Sequence, residues 1–533
     1  MADPSKKDKP ASSEDAVEPT GEETSYQHNT DSLQPEHQEN ATATKNGSTA
    51  EVSKATSNSD KPTDTSISSG ETSSGNDKGK AAEALSKLDP AQMLAGLNLG
   101  KKTPKDMESY KFWQTQPVPR FDEATTKPDG EIKKVDPDKV PKEPRALLAG
   151  FEWVTMDLED SAELTEVYEL LNGHYVEDDE AQFRLNYSAS FFNWALKAPG
   201  WRKEWHVGVR ATKSRKLIAF ISAIPAQLKI RDNTLNTSEV NFLCIHKKLR
   251  SKRLAPILIE EITRRCHLVG VYQAIYTGGQ ILPKPLSSCR YFHRAINWNK
   301  LYECGFANLP IGSTIQRQLT RTFIASSTSL PGFRAMEKKD IPAVHDLLSR
   351  YLNKFSLAPI FSQEEIAHWL FYDPKSSSDD RMVWGYVVEQ DGAITDLMTF
   401  YRLDSSIIGN QKYSNIKAAY LFYYATETAF SNDDKLLKER LNALTFDTLV
   451  MAKKVRFLSP MALYLQLQLS FDVCNALTLL DNPLFLERQR FSPGDSQLHY
   501  YLYNYRAAPV PGGINPKNDV DESKRGGVGV VML

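Results

Sequence analysis

The chain of 533 residues has only five cysteines, Cys244, Cys266, Cys289, Cys304 and Cys474, and no two of them form a CxxC pair. That scarcity leaves no disulfide framework, so reduced thiols in the cytoplasm are the expectation, and no metal is expected either. Long apolar runs are missing too: none approaches the roughly 18 residues that cross a bilayer, so no membrane span is expected. The opening MADPSKKDKP has no apolar h-region, and no signal peptide is read there. Nor is there an excess of one charge, since 65 Lys and Arg stand against 67 Asp and Glu, a net −2. Such balance argues against a surface built wholly to grip DNA or an anionic membrane. The remaining composition, 40% hydrophobic and 25% charged, is ordinary for a soluble globular chain.

Aromatic residues are nearly absent from residues 1–82, where Tyr26 is the only one among Ser, Thr, Glu, Asp, Lys and Asn. So little apolar surface cannot offset chain entropy, which predicts a disordered polar tail over 1–82. Residues 78–102 place apolar side chains at helical spacing, cut short by Gly96 and Gly100, and read as a short docking helix. From Tyr110 onward aromatics are frequent and the folded region begins.

Two kinds of segment alternate there. WHVGVRAT (from Trp205), KLIAFISAIPAQLKI (from Lys216) and VNFLCIH (from Val240) read as strands from their β-branched and aromatic content. LTEVYELLNGHY (from Leu164) and LAPILIEEITRRCHLVG (from Leu254) read as amphipathic helices. In the second, Leu254, Leu258, Ile262, Cys266 and Val269 share one face, with Glu260–Arg264 and Glu261–Arg265 paired on the other. The style repeats later: 340–352 and 433–454 read as helices, while RMVWGYVVEQ, AITDLMTFYRL and IKAAYLFYYAT read as strands. The pattern predicts an α/β (mixed α+β) protein of two halves, 83–310 and 311–533, joined near 310–332. No sequence repeat of fixed period supports a duplication.

The most informative stretch runs EVNFLCIH from Glu239 to His246, then KKLRSKRLAP from Lys247 to Pro256. A strand ends, a short polar turn follows, and a helix begins with Pro256 in its first turn. Such a turn offers unpaired N–H groups and a helix dipole to an anion. Lys247, Lys248, Arg250, Lys252 and Arg253 surround it. The residues alone fit a phosphate or pyrophosphate, a nucleic acid, or a merely solvated basic face.

EVNFLCIHK resembles a signature of the eukaryotic N-myristoyltransferases, position by position from Glu239 to Lys247. YKFWQTQPVP (from Tyr110), KAPGW (from Lys197), LPKPLSSCRYFHR (from Leu282), HYYLYNYR (from His499) and the terminal GGVGVVML are further similar passages. RFSPGDS (Arg490–Ser496) resembles a second family motif in altered form. The resemblance covers roughly residues 100–533 and is closest to fungal members.

The resemblance implies a fold of two similar acyl-CoA N-acyltransferase-like halves around a continuous twisted sheet. It implies transfer of a fourteen-carbon acyl group from myristoyl-CoA, a co-substrate, to the N-terminal glycine amine of a protein, without metal. The phosphates of coenzyme A would lie on Arg250, Ser251, Lys252, Arg253, Leu254 and Ala255. Tyr110, Lys111, Phe112 and Trp113 would fold over it, although Phe112 and Trp113 also fit plain core packing. Phe242, Leu243, Cys244 and Ile245 would border the thioester, with the backbone N–H groups of Phe242 and Leu243 as the oxyanion hole. Cys244 is not taken as a nucleophile, because the family transfers directly to the amine; a small buried residue is its ordinary role. Leu533 would supply the base through its terminal α-carboxylate, raised by desolvation from about 3.5, while Asn241 and Thr277 would hydrogen-bond the amine.

For the peptide, Glu177, Asp178, Asp179 and Glu180 form an acidic patch suited to a basic residue, or else a solvated loop. Val176, Asp178, Phe183, Tyr187, Tyr291, His293, Tyr420 and Asp495 become groove candidates, His293 with a competing structural reading. N-terminal glycine peptides of nascent or cleaved proteins are the expected partners, with ribosome contact through the tail, and the protein is expected as a cytoplasmic monomer. A Met-Ala start means that the chain is not its own substrate.

Two departures stand out. VRFLSPMALYLQLQLS, about 455–470, interrupts a junction that the family runs straight through, either as a real insertion or as a gene-model error. An acyl-CoA-binding protein with impaired catalysis is the alternative it opens. Ser492 and Ser496 stand where glycines are usual, which adds strain if those positions have φ > 0.

Overall fold

The computed structural model describes residues 107–123, 128–178, 181–373, 375, 381–455 and 470–533. The expected tail, the 78–102 helix, Asp179, Glu180 and residues 456–469 of the insertion lie outside the described residues.

The first half contains strands β1 (Phe151–Thr155), β2 (His206–Ala211), β3 (Leu217–Ile230), β4 (Asn233–Ile245), β5 (Gln273–Gly278) and β6 (Ser287–Ala295). Helices α1 (Ser161–His174) and α2 (Ala189–Leu196) join β1 to β2, and α3 (Leu254–His267) joins β4 to β5. The second half repeats this order with β7 (Phe333–Ala335), β8 (Val383–Gln390), β9 (Ala393–Arg402), β10 (Ala418–Thr426), β11 (Val473–Leu477) and β12 (Ser492–Tyr503). There α4 (Ile341–Leu352) and α5 (Gln363–Leu370) join β7 to β8, and α6 (Asp434–Lys454) joins β10 to β11.

All of these strands belong to one sheet, in the order β1-β2-β3-β4-β5-β12-β6-β11-β10-β9-β8-β7. Read from either edge the order is the same, except that the halves exchange their last strands. Two similar halves around a continuous sheet, with no sequence repeat, is what that topology amounts to. Among the described residues no helix is long and apolar enough to cross a membrane.

Within each half the neighbours are antiparallel apart from one parallel pair. β4 and β5 pair only through Thr237–Gln273, Ser238–Ala274 and Glu239–Ile275. β10 and β11 pair only through Ala418–Val473, Ala419–Cys474 and Tyr420–Asn475. Beyond those pairs each strand couple opens, and β4 runs on alone on that side to Ile245.

The expected faces of α3 need two corrections. Leu254, Leu258, Ile262 and Cys266 are buried, but Val269 lies beyond the helix end and is 43% exposed. Glu261 is buried and bridges Arg264 and Arg265 at 2.7 and 2.6 Å, whereas Glu260 pairs with Arg145 at 2.9 Å. A carboxylate enclosed at the sheet side needs both guanidinium groups to replace its lost water.

The C-terminal segment behaves as an internal strand. Leu357 N–H donates to Gly527 O at 3.0 Å and Gly529 N–H to Leu357 O at 2.6 Å, beside the Leu357–Pro359 strand that itself pairs with β3. Val528, Val530, Val531 and Met532 are buried. The glycines there serve close approach: a Cβ on Gly526 would sit 2.9 Å from Thr478 O, and one on Gly527 2.6 Å from Val510.

Candidate active site

A β-bulge is the centre of the site. On β4, Phe220 pairs with Cys244 and Ser222 with Asn241, so Phe242 and Leu243 together face the single residue Ile221. A bulge leaves one residue out of the ladder and re-aims its backbone. Phe242 takes φ 59°, a conformation that costs a bulky residue about 1–3 kcal/mol. Packing sustains it: the ring is 1% exposed, with Tyr187 and Phe192 at 5.5 Å and Tyr175 at 5.9 Å between centroids.

The bulge borders a cavity of about 2500 Å³. The opening between β4 and β5 forms part of its wall, through Val240, Asn241, Phe242 and Leu243 on one strand and Tyr276, Thr277 and Gly278 on the other. Leu533, half-buried, lines the same cavity together with Met532. Two tyrosines deliver the terminus: Tyr500 Oη donates to Val530 O at 3.0 Å, and Tyr423 Oη accepts from Val531 N–H at 3.1 Å. In sequence Tyr423 reads only as a strand residue and Tyr500 only as part of the HYYLYNYR passage, and no spacing rule distinguishes a tyrosine that docks a tail.

Every predicted peptide residue also lines this cavity: Val176, Asp178, Phe183, Tyr187, Tyr291, His293, Tyr420 and Asp495. His293 Nδ1 lies 2.7 Å from Asn475 Oδ1, which makes it both a structural and a cavity-facing histidine. Burial pushes the imidazole down, while Asn475 and Asp495 act the other way. The acidic patch is smaller than its sequence. Glu177 is committed to Lys247 and to Arg184, and the hydrogen bond from Lys247 in particular holds its carboxyl below the usual range. Asp178 is exposed, with Oδ1 accepting from Phe183 N–H at 2.7 Å. Ser492 and Ser496 line the cavity as well, and neither has positive φ, so the anticipated strain is absent.

The cofactor candidates divide. Tyr110 and Trp113 line the cavity; Trp113 stacks on Tyr276 at 5.6 Å, which stacks on Tyr501 at 5.1 Å. Lys111 and Phe112 are not part of the lining. Cys244 and Ile245 are not either: both are buried, and burial pushes the Cys244 thiol up to about 12, which disqualifies it as a nucleophile.

The basic segment forms a 3-10 helix over Lys247–Lys252 in place of the expected open turn. Arg253 then takes a left-handed conformation, and α3 starts with no side chain capping it. Uncapped N–H groups of this kind suit an anion. Arg250, Lys252, Arg253, Leu254 and Ala255 stand outside the cavity lining, and Leu254 is buried, so only its backbone can meet a ligand. The Ser251 side chain lies outside the described residues. His174 and His246 pack at 4.0 Å beside this segment, and burial foremost pushes His174 down to about 4. The positive charge here thus comes from lysine and arginine.

The chain matches the family model described as myristoyl-CoA:protein N-myristoyltransferase, the N-terminal domain over residues 131–289 and the C-terminal domain over 303–531. It is 58% identical to the glycylpeptide N-tetradecanoyltransferase of Aspergillus fumigatus over 86% of this chain and 90% of that one. It is 45% identical to that of Saccharomyces cerevisiae over 80% and 93%. A crystal structure of the Saccharomyces cerevisiae N-myristoyltransferase with bound myristoyl-CoA is similar with a TM-score of 0.76, at 44% identity, over 86% of this chain and 100% of that one.

Proposed function

The chain belongs to the myristoyl-CoA:protein N-myristoyltransferase family, and from that premise we propose that its cavity receives myristoyl-CoA and a protein's N-terminal glycine and joins them. The observation that supports this reading most is that Leu533 lines the same cavity as Asn241, Phe242, Leu243 and Thr277.

The glycine nitrogen attacks the thioester carbonyl carbon, a C–N bond forms, and the C–S bond breaks to release the coenzyme A thiolate. The N–H groups of Phe242 and Leu243, re-aimed by the bulge, meet the oxygen as it gains charge; one such donor is typically worth about 100- to 1,000-fold in rate. The Leu533 carboxylate accepts the ammonium proton that must leave before attack, and the nitrogen's second proton passes to the departing thiolate. An α-ammonium near 7.7–8.0 needs only a modest base. Asn241 and Thr277, on the two strands that part, hold the nitrogen between them. A side chain on the first residue would collide with the enclosing wall, hence glycine.

The uncapped start of α3 with Arg250, Lys252 and Arg253 suits the coenzyme A phosphates, and Tyr110 and Trp113 close over the thioester arm. The division falls near residue 310, the first half taking the acyl-CoA, the second contributing Tyr420, Asp495 and the carboxylate. The protein works as a cytoplasmic monomer on nascent or freshly cleaved chains, and residues 1–82 make the ribosome contact. Ribosome co-sedimentation unchanged by deleting 1–82 would count against that contact.

The decisive assay presents labelled myristoyl-CoA with peptides that begin Gly or Ala. Label should move to the Gly peptide alone. Acyl-CoA binding without transfer would instead leave an acyl-CoA-binding protein.

A further inference from the structure

Glu239 occupies the last paired position before β4 and β5 separate, opposite Ile275 on one side and Ile224 on the other. Among the described residues no cation pairs with it. Its hydrogen bond is with Asn241, whose Nδ2 donates to Oε1 at 2.7 Å. The backbone carbonyl of Asn241 is fixed as well, accepting from Ser222 Oγ at 3.1 Å. Asn241 lines the cavity next to the bulge and Glu239 does not, so the carboxylate stands one residue layer behind the site.

An ionised carboxylate can only accept hydrogen bonds, so it selects the NH₂ end of the amide. With Nδ2 turned back to Glu239, Asn241 turns Oδ1 outward as an acceptor. That is the end an incoming ammonium or amine requires; the reverse orientation would aim two N–H donors at a cation. We propose that Glu239 is a positioning residue, which fixes the amide of Asn241 so that its oxygen faces the glycine nitrogen. The inference rests on the reading of Asn241 as an amine contact.

The groups around Glu239 make its ionisation a live variable. Ile224 and Ile275 give no charge. From β10, Tyr423 is electrostatically linked to Glu239 and also to Glu365 of α5, and its hydroxyl holds the tail that ends in Leu533. Burial pushes Glu239 up to about 7, with the Asn241 hydrogen bond acting the other way. Protonated, its O–H prefers Oδ1 of Asn241, and the amide has reason to turn. Transfer should therefore fall as pH drops through about 7, with acyl-CoA affinity unchanged.

The test is a pH series of kcat/KM for a Gly peptide, run on the unaltered chain, Glu239→Gln, Asn241→Ala and the double variant, with acyl-CoA affinity measured alongside. Glu239→Gln is close in shape, but its amide can bond either end of Asn241. A loss of about 10- to 100-fold is expected, the range that losing an outer hydrogen-bond partner costs at metal sites. The limb near pH 7 should disappear from Glu239→Gln, leaving only the peptide amine's own titration near 7.7–8.0, and the double variant should be no worse than Asn241→Ala. Wild-type rate and pH profile in Glu239→Gln, or additive losses in the double variant, would overturn the inference alone. Full activity in Asn241→Ala overturns the amine contact and this inference together. If Glu239→Gln fails to fold, a profile in the unaltered chain that shows only the amine's own titration is enough to overturn it.

Discussion

The two halves of the sheet open in the same manner and fill the opening differently. In the first half β4 and β5 part after Glu239 and Ile275, and the space between them is cavity. In the second half β10 and β11 part after Tyr420 and Asn475, and the chain's own terminus enters. Val531 bonds Tyr423 of β10, and Val528 O accepts from the N–H of Leu480, just beyond β11. One opening is thus open space bordering the cavity, while the other is filled by a covalently attached segment that ends in a carboxylate. On the proposed reading, a doubled fold serves two substrates by spending one of its two slots on itself.

If the terminus is a resident reagent, cutting it off should abolish chemistry while leaving the first opening intact. Deleting Leu533, or amidating its carboxylate, should lower kcat by about 100- to 10,000-fold with acyl-CoA affinity unchanged. Unaltered turnover in single-turnover assays would refute the assignment of the base. The next largest effect concerns stability and falls on the first opening. Glu239 is raised from 4.5 to about 7 when folded, so the folded state binds its proton more tightly. Its contribution to stability is therefore complete below about 4.5 and is lost as pH rises through 7. Glu239→Gln should be more stable than the parent by about 3 kcal/mol at pH 8, and equal to it at pH 4. Thermal melts at both pH values measure this, and stability gained together with activity lost would mark a site strained for function.

Much of this was legible in the residues. The strands LIAFISAI and AAYLFYYAT fall on β3 and β10, because runs buried on both faces leave an unmistakable pattern. The doubling of the fold was not legible from repeats, since packing constrains hydrophobicity and leaves identity free. The bulge was hidden because φ 59° at Phe242 is imposed by a cage drawn from α2 and the segment that joins α1 to it, far away in sequence. Similarly, the sequence displays Glu177 as one of four acids but cannot show that Lys247 and Arg184 already hold it. GGVGVVML reads as flexible glycine followed by apolar residues, yet those glycines are there for lack of room.

A smaller effect probes the docking of the tail. Tyr423→Phe removes the acceptor of the buried Val531 N–H, which should cost about 1–3 kcal/mol. Because the same hydroxyl positions the terminus, kcat should fall with stability, whereas acyl-CoA affinity should not. A melt lowered at constant kcat would show that the tail reaches Leu533 without this anchor.

The smallest effect asks how each opening measures its occupant. The tail is measured by covalent length and by glycines that fit only at fixed places, so it tolerates no slippage. An acyl chain in the first opening can be measured only by the apolar surface it hides, about 0.8 kcal/mol per CH₂. A chain two carbons shorter than myristoyl should therefore lose about 1.6 kcal/mol, roughly fifteen-fold in affinity. A longer chain should gain nothing once the enclosed space is full, because forcing methylenes into a packed interior costs about as much as burying them returns. Dissociation constants for C12, C14 and C16 acyl-CoA should then show a step followed by a plateau or a decline. A steady gain through C16 would mean that the first opening is a groove open at its far end, and that the two halves differ in closure as well as in occupant.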